Sequence, residues 1–305
     1  MSDPVQTSSA PLSKGAVFLR RLLSFTVLWG VVLGSLFSGN KIVSSYVFLI
    51  ILVFLTLAGL QEFYGMVKRL GYACYAKLGI FGGLLLLVAT FCYISGAFGL
   101  AAPPSRVNDF ETCFLILFVL GLCIRQFVSR TTTTGIVAIS TTLLGLMYVP
   151  WLLNFVQKIN FFGQGVEGNF YVLYFVVVTK LSDCGAYAVG SLIGKHKMIP
   201  RISPGKTWEG FCGAIVVSTA ASVIFARLAG SHLGGMTPFH AVVLGIVLSI
   251  AAVVGDLIES LFKREAGLKD SGHLFPGIGG ILDLLDSLLF NAPLMYLYLR
   301  HILTK

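Results

Sequence analysis

Two pairs of acidic residues near the carboxyl-terminal end of the chain have a spacing that places both members of a pair on one helix face. Asp256 and Glu259 are three residues apart, and Asp283 and Asp286 repeat that spacing. The sequence on both sides is apolar, and ionisable groups at or inside a membrane are costly and usually functional. Carboxylate oxygens also suit divalent cations. We therefore interpret these acids as candidate metal-binding residues.

Basic side chains and glycines lie between the two acidic pairs. Lys263, Arg264 and Lys269 follow the first pair, and a run ending in Gly279 and Gly280 precedes the second. Basic groups bind phosphate, and glycines let a backbone approach it closely. This arrangement favours metal-assisted chemistry on a phosphate group at the membrane face. The alternative, a set of interhelical hydrogen bonds or a pathway for cations or protons, stays open.

An earlier apolar stretch carries a lysine and an aspartate at helical spacing. Lys180 and Asp183 are three residues apart and share a helix face. In one interpretation Asp183 faces a polar cavity, and Lys180 tunes it or contacts phosphate. In the other, the two form a buried ion pair that orients helices. The nearby glycines predict close approach by a neighbouring helix; they are Gly185, Gly190 and Gly194.

The polar segment 201–210 offers a further candidate phosphate contact. Ser203, Lys206 and Thr207 supply two hydroxyls and an ammonium near the predicted start of a helix, where free backbone N–H groups bind anions. The spacing differs from that of a P-loop. A plain turn followed by a helix cap explains the same residues equally well.

The composition shows which elements must position these residues. The chain has 305 residues, of which 56% are hydrophobic and 11% are charged, and this predicts an all-α, polytopic integral membrane protein. Apolar runs of about 17–25 residues suit spanning helices. They predict about nine transmembrane helices, at 18–38, 43–63, 78–99, 111–129, 135–155, 169–190, 209–229, 239–261 and 281–300.

The spans and motifs divide the chain into three predicted regions. Residues 1–13 are polar and aperiodic, which predicts a disordered cytoplasmic tail. Residues 14–165 are predicted to form a transmembrane scaffold, because their apolar cores carry little beyond Glu62 that could do chemistry. Residues 166–305 are predicted to form the catalytic transmembrane region, since all of the motifs above lie within them.

The distribution of positive charge predicts the orientation in the membrane. Fifteen of the 22 Lys and Arg residues fall on the side of the amino terminus, six (among them Lys158) on the opposite side, and Lys180 within a span. Cytoplasmic loops carry the excess of positive charge, so the amino terminus and the loops 191–208 and 262–280 are predicted to be cytoplasmic. This rule and anionic lipid headgroups account for the net charge of +9, and no nucleic-acid partner is expected.

Taken together, these motifs resemble the phosphatidate cytidylyltransferase (CDP-diacylglycerol synthase) family. Residues 260–286 resemble its carboxyl-terminal signature, S-x-x-K-R-x4-K-D followed by P-G-x-G-G-x-x-D-x-x-D. The blocks S-D-C-G-A-Y at 182–187 and I-S-P-G-K-T-W-E-G at 202–210 resemble two further family segments in the same order. The resemblance is strong over residues 169–300, whereas the first five spans match only in being hydrophobic.

The resemblance implies an enzyme that converts CTP and phosphatidate to CDP-diacylglycerol and pyrophosphate. It implies Mg²⁺ held by Asp256 and Asp283, with Asp286 nearby in a supporting or second-ion role, and it leaves open a second cation such as K⁺. Lys263 and Lys269 are expected to act with these acids in catalysis. The expected substrate contacts are Asp183, Ser203, Lys206, Thr207, Arg264, Gly279 and Gly280. The resemblance also implies a homodimer in the bacterial inner (cytoplasmic) membrane, with the active site facing the cytoplasm.

Two positions depart from the family pattern. Ile278 stands where the family has His in a Gly-His-Gly-Gly run, and Leu284 follows Asp283 where Arg is common. The chain thus lacks an imidazole and a guanidinium, while the carboxylates are intact. A changed lipid substrate would be one reason for such departures.

Two other functions fit parts of the pattern. A CTP-dependent transferase acting on another lipid phosphate or on polyprenol would use similar residues, because apolar helix surfaces contact the lipid tails. An ion-coupled transporter would also place acids in the membrane. The lack of an internal repeat and the clustering of basic loops on one side argue against the transporter.

Overall fold

The structure is a computed structural model that describes residues 26, 29–96, 104–129, 133–163, 166–272 and 279–304. In these ranges eight helices are long and apolar enough to cross a membrane, and the protein is an all-α, polytopic integral membrane protein. The predicted tail at 1–13 and most of the predicted first span at 18–38 lie outside the described residues. The count of nine spans and the position of the amino terminus therefore stay predictions.

Each described helix corresponds to one of the remaining predicted spans. The helices are α1 (Lys41–Arg69), α2 (Ala76–Ser95), α3 (Pro104–Val128), α4 (Gly135–Asn160), α5 (Gly168–Ile193), α6 (Trp208–Ala229), α7 (Pro238–Glu265) and α8 (Ile281–Tyr298). Residues 29–37, before α1, are helical as well. Apolar run length thus predicted each of these helices to within a few residues at most ends.

Short polar side chains mark where several helices begin. The Asn40 side chain accepts hydrogen bonds from Ile42 N (3.0 Å) and Val43 N (3.3 Å) at the start of α1. Thr237 accepts one from His240 N at 3.3 Å, and Pro238, which has no N–H to satisfy, opens α7. These caps satisfy backbone donors that would otherwise lack partners at a helix end.

A π-helical turn at Met147–Trp151 interrupts α4 around Pro150. Proline cannot donate the backbone hydrogen bond of a regular helix, so the turn widens locally. The Pro150 ring packs against α2 at Gly83, where a Cβ atom would lie 2.8 Å from it. The absence of a side chain at Gly83 therefore permits the close packing of α2 on the widened part of α4.

Helices α5 and α6 approach each other through glycines, as the spacing of Gly185 and its neighbours predicts. A Cβ atom at Gly185 would lie 2.9 Å from the carbonyl oxygen of Gly213 on α6. A Cβ atom at Gly213 would lie 2.5 Å from the Cβ of Val189 on α5. Dispersion contacts at such short distances are a main source of helix association in lipid.

Residues 195–207 form the connection between α5 and α6, and this connection contains a small antiparallel hairpin. Strand β1 (Lys197–Ile199) pairs with β2 (Ser203–Thr207), with Lys197 opposite Thr207. The Thr207 hydroxyl then accepts a hydrogen bond from Gly210 N at 3.1 Å and caps α6. The structure thus confirms the helix cap at this residue and places Lys206 on the adjoining strand.

Glu111 on α3 and Lys158 on α4 form an ion pair that is almost completely buried. The Nζ–Oε2 distance is 2.7 Å, and the two side chains are about 3–4% exposed. Asn154 donates to Glu111 at 2.5 Å and to Thr90 at 3.0 Å. The sequence placed Lys158 in the segment after the span predicted at 135–155, whereas α4 continues to Asn160 and the lysine pairs with Glu111 inside the bundle. The side of the membrane on which Lys158 lies stays a prediction.

An aromatic cluster joins the two halves of the chain. Tyr148 on α4 lies 6.0 Å from the Phe63 ring on α1 and 5.5 Å from the Phe262 ring on α7, measured between centroids. These contacts cross the boundary at residue 165. The division into a scaffold (14–165) and a catalytic region (166–305) remains a prediction about roles, since the two regions share one core.

Candidate functional site

Three carboxylates from two helices converge in the described part of the structure. Asp256 and Glu259 on α7 and Asp286 on α8 place oxygen atoms within 4.8 Å of one another. The i,i+3 spacing directs the two α7 side chains to the same face. Gly255 allows α8 to pack closely there, because a Cβ atom at this position would lie 2.6 Å from the Asp286 carbonyl oxygen. We name this group the carboxylate cluster.

The chemistry of the carboxylate cluster fits a divalent cation. Glu259 is completely buried, and its Oε1 atom has no hydrogen-bond partner among the described residues. Asp286 is also buried, at 9% exposure, whereas Asp256 is half-buried. Gathered buried charges of one sign are very costly unless a counter-ion compensates them. Carboxylate oxygens suit a hard cation such as Mg²⁺, which usually takes one or two carboxylates together with water and substrate phosphate oxygens.

Lys263 lies between the carboxylate cluster and Asp283. Its Nζ atom is 2.5 Å from Asp283 Oδ1 and forms an ion pair with Glu259, four residues earlier on α7. The other oxygen of Asp283 accepts hydrogen bonds from Gly280 N (2.7 Å) and from the backbone and hydroxyl of Ser271 (3.0 and 2.9 Å). Asp283 thus joins α7, α8 and the loop between them.

The predicted metal ligands therefore occupy different surroundings. The structure brings Asp256 and Asp286 together with Glu259, which sequence reasoning paired with Asp256 but did not include among the ligands. It directs Asp283 to Lys263 and the loop instead. The role of Asp283 as a metal ligand stays a prediction. Rotation of α8 about its axis decides which of its two aspartates faces the cluster.

The hairpin supplies a second lysine to the site. Lys206 Nζ lies 2.8 Å from Asp256 Oδ2 and donates to the carbonyl oxygen of Val253 at 3.3 Å. Ser260 donates to the other oxygen of Asp256 at 3.3 Å. Ser203, half-buried, begins the same strand. An ammonium beside the cluster is well placed for a phosphate that a bound cation also contacts.

Lys180 and Asp183 lie on the α5 side of the site and form the ion pair that one interpretation predicted, with both side chains partly exposed. A contact with phosphate stays a prediction. The Nζ–Oδ2 distance is 3.6 Å, and Lys180 also donates to the Leu284 carbonyl oxygen at 3.0 Å. Ser287 donates to Asp183 at 3.3 Å and directly follows Asp286 of the carboxylate cluster. The pair thus links α5 to α8 and adjoins the cluster.

The remaining predicted contacts lie in or near the loop after α7. Arg264 is exposed and donates to the carbonyl oxygens of Ile202 and Leu268, both at 3.2 Å. Lys269 is exposed in the loop. Gly279 has a φ of +109°, a conformation that favours glycine. Residues 273–278, including the departure at Ile278, lie outside the described residues.

Glu62 is a residue of the site that the sequence interpretation assigned to the scaffold. It lies on α1 and accepts hydrogen bonds from Ile281 N, Leu282 N and the Ser271 hydroxyl, all at 2.9 Å. The available signal was an acidic residue in an otherwise apolar span. Its partners lie more than 200 positions away, so no local pattern connects them.

Comparison with known proteins identifies the family. The model of the cytidylyltransferase family matches residues 19–302. A protein of Mycobacterium bovis named phosphatidate cytidylyltransferase is 32% identical over 251 residues, which cover 80% of this chain and 77% of that protein. A protein of Staphylococcus haemolyticus with the same name is 42% identical over 139 residues, 46% of this chain and 52% of that protein. The chain therefore belongs to the cytidylyltransferase family.

Proposed function

We propose that this protein is a phosphatidate cytidylyltransferase, which transfers the cytidylyl group of CTP to phosphatidate. The observation that carries the proposal is the carboxylate cluster of Asp256, Glu259 and Asp286, flanked by Lys206 and Lys263, in a chain of the cytidylyltransferase family. Relatives named phosphatidate cytidylyltransferase, one of them matched over 80% of the chain, support this substrate.

In the proposed reaction a phosphate oxygen of phosphatidate attacks the α-phosphorus of CTP. The new P–O bond gives CDP-diacylglycerol, and the bond between the α- and β-phosphates breaks, so that pyrophosphate leaves with the bonding electron pair. The lipid phosphate is already anionic, and the step needs no strong general base. The main barrier is the approach of two polyanions, which positioning and compensating positive charge lower.

The residues of the site would meet these needs in different ways. Asp256, Glu259 and Asp286 would hold Mg²⁺, which when bound neutralises phosphate charge and stabilises the pyrophosphate leaving group. Asp283 stays a further candidate ligand. Lys206 and Lys263 lie beside the acids and would offset the repulsion between the substrates.

The exposed Arg264 and Lys269 would attract CTP from the aqueous side, and the loop glycines Gly279 and Gly280 would bring backbone N–H groups close to phosphate. Thr207 is buried and caps α6, so we propose that it positions the start of α6 and does not itself contact the substrate. Asp183 and Ser203 stay candidate substrate contacts.

The proposed setting is a bacterial inner membrane with the site facing the cytoplasm. The excess of Lys and Arg in the loops beside the site supports this orientation. CTP would enter and pyrophosphate would leave on that side, while the acyl chains of phosphatidate remain among the helices. A second cation such as K⁺ and a homodimer are implied by family resemblance and remain predictions.

The test is pyrophosphate release by the purified protein in detergent. We expect release that requires CTP, Mg²⁺ and phosphatidate together, with a CDP-lipid as product. Turnover with another lipid phosphate or a polyprenyl phosphate, but none with phosphatidate, would replace the proposed substrate and keep the chemistry. Folded protein that uses none of these acceptors would overturn the proposal.

A further inference from the structure

Glu62 connects the amino-terminal half of the chain to the start of α8. Its Oε1 atom accepts the hydrogen bond of Ile281 N, and its Oε2 atom accepts those of Leu282 N and the Ser271 hydroxyl, each at 2.9 Å. The carboxylate lies in the last third of α1 and is half-buried. A single side chain from one spanning helix therefore binds two successive backbone donors of another.

Helix α8 needs an acceptor from elsewhere in the protein because the residue that precedes it cannot cap it. The first N–H groups of a helix have no acceptor within the helix, and Gly280, which precedes α8, has no side chain to supply one. Glu62 accepts from the first two residues of α8. Its negative charge also lies at the positive end of the helix dipole, where it stabilises the helix.

Gly272 and Gly280 lie against Glu62, and a side chain at either position would clash with its carboxylate. A Cβ atom at Gly280 would lie 2.5 Å from Glu62 Oε2 and would collide with the Ser271 hydroxyl. A Cβ atom at Gly272 would collide with Glu62 Oε1. Residues 271–272 and the start of α8 thus pack closely around this carboxylate.

Ser271 extends the contact from Glu62 to the proposed active site. Its hydroxyl lies 2.9 Å from both Glu62 Oε2 and Asp283 Oδ2, and its single proton can be donated to either carboxylate. Asp283 pairs through its other oxygen with Lys263, which also pairs with Glu259 of the carboxylate cluster. A continuous series of polar contacts therefore runs from α1 to the proposed metal ligands.

We propose that Glu62 is a positioning residue for the reaction: it fixes the start of α8 and the adjoining loop, and so sets where Asp283 and Asp286 lie relative to α7. The effect on catalysis rests on the proposed function. Its structural part, the anchoring of α8 by α1, is independent of the substrate. The amino-terminal half then contributes directly to the site and serves as more than a scaffold.

Glu62→Gln tests the inference with little change in side-chain size. An amide has one acceptor oxygen, and its NH₂ group would face backbone donors, so at least one bond to α8 is lost. Loss of a hydrogen bond to a charged acceptor corresponds to roughly tenfold or more in an equilibrium. We expect kcat to fall by about that factor, and the Mg²⁺ concentration for half-maximal activity to rise, with a smaller change in the KM for CTP. Gln61→Ala, at an exposed neighbouring position, is the matched control and should behave as the unchanged protein.

Hydrogen–deuterium exchange supplies a readout that needs no activity. In Glu62→Gln we expect the amides at the start of α8 to exchange on the order of ten times faster, while those of α5 and α6 keep their rates. Unchanged exchange and unchanged Mg²⁺ dependence in this variant would overturn the inference.

If Glu62→Gln fails to fold, Ser271→Ala tests the same series of contacts from the loop, and an unchanged kcat and Mg²⁺ dependence there would count against the inference. If the unchanged protein has no cytidylyltransferase activity, the proposed function fails, and exchange still tests the anchoring.

Discussion

Lys263 shows at the residue scale how one side chain can set the spacing of two helices. Its ammonium contacts Glu259 on its own helix and Asp283 on α8, and only 11% of the side chain is exposed. Removal of one partner from a buried ionic group leaves an uncompensated charge, which costs more than the pair itself contributes. The stability of this region and the geometry of the site therefore depend on the same residue.

We predict that Lys263→Met lowers both turnover and thermal stability. The change leaves Glu259 and Asp283 without their shared cation, and such losses cost about 3–5 kcal/mol in buried surroundings. Thermal unfolding in detergent and pyrophosphate release measure the two effects. Lys197→Met, at an exposed position of the hairpin, is the control. A variant at Lys263 with unchanged melting temperature and activity would contradict the assigned contacts.

The carboxylate cluster gives a second prediction at this scale. Asp256→Asn removes a charge from the proposed ligand set and keeps the shape, so turnover should fall by about 10²-fold or more while the protein stays folded and inserted. Asp283→Asn should lower turnover by a similar factor, because Lys263 would lose the negative charge with which it pairs. Activity as a function of Mg²⁺ concentration measures both, with Asp109→Asn at an exposed position of α3 as control. Near-normal turnover in both variants would rule out the proposed site.

At the scale of elements, the packing of α5 against α6 brings the hairpin to the carboxylate cluster. Gly185 and Gly213 lie where the two helices touch, and α6 begins directly after the strand that carries Lys206. The distance between α5 and α6 therefore controls where the hairpin lies. Side chains as small as glycine are required because the backbone of one helix contacts the other.

We predict that Gly213→Ala destabilises the protein. The added Cβ would lie 2.5 Å from the Val189 Cβ, so the helices must separate, and such overpacking costs about 1–3 kcal/mol. Gly121→Ala is the matched control, because the described residues leave open space around that position. Thermal unfolding of the two variants in the same detergent should show a lower midpoint for Gly213→Ala alone. Equal midpoints would mean that α5 and α6 are less closely packed than in this structure.

At the scale of the whole molecule, the proposed site lies at one end of the helical bundle. The hairpin, the end of α7 and the start of α8 meet there, and a buried ion pair of Glu111 and Lys158 lies among other helices of the bundle. The predicted topology places most Lys and Arg residues in the loops at that end. We therefore propose that the site lies at one membrane surface.

We predict opposite accessibility for the two ends of α6. Lys197→Cys, in the hairpin, should react with a membrane-impermeant thiol reagent only after the cells are opened, whereas Ser231→Cys, beyond the end of α6, should react in intact cells. The parent protein, with its own cysteines, gives the background. The reverse pattern would place the proposed site on the external face.

The sequence by itself determined the all-α membrane architecture, because a spanning helix needs a run of apolar residues that is visible locally. The same local reasoning found Asp256, Asp286 and Lys206, since spacing along a helix and position in a loop are properties of nearby residues. The eight described helices lie where hydropathy placed eight of the predicted spans.

Only the tertiary structure decided which charges meet. The rotation of α7 and α8 about their axes brings Glu259 to the carboxylate cluster and directs Asp283 to Lys263. The spacing of these acids along the sequence is compatible with other rotations, so it could not predict these contacts. Glu62 and Lys158 find their roles through partners on other helices. Hydropathy specifies that a segment crosses the membrane, whereas contacts between distant helices specify what each polar side chain does there.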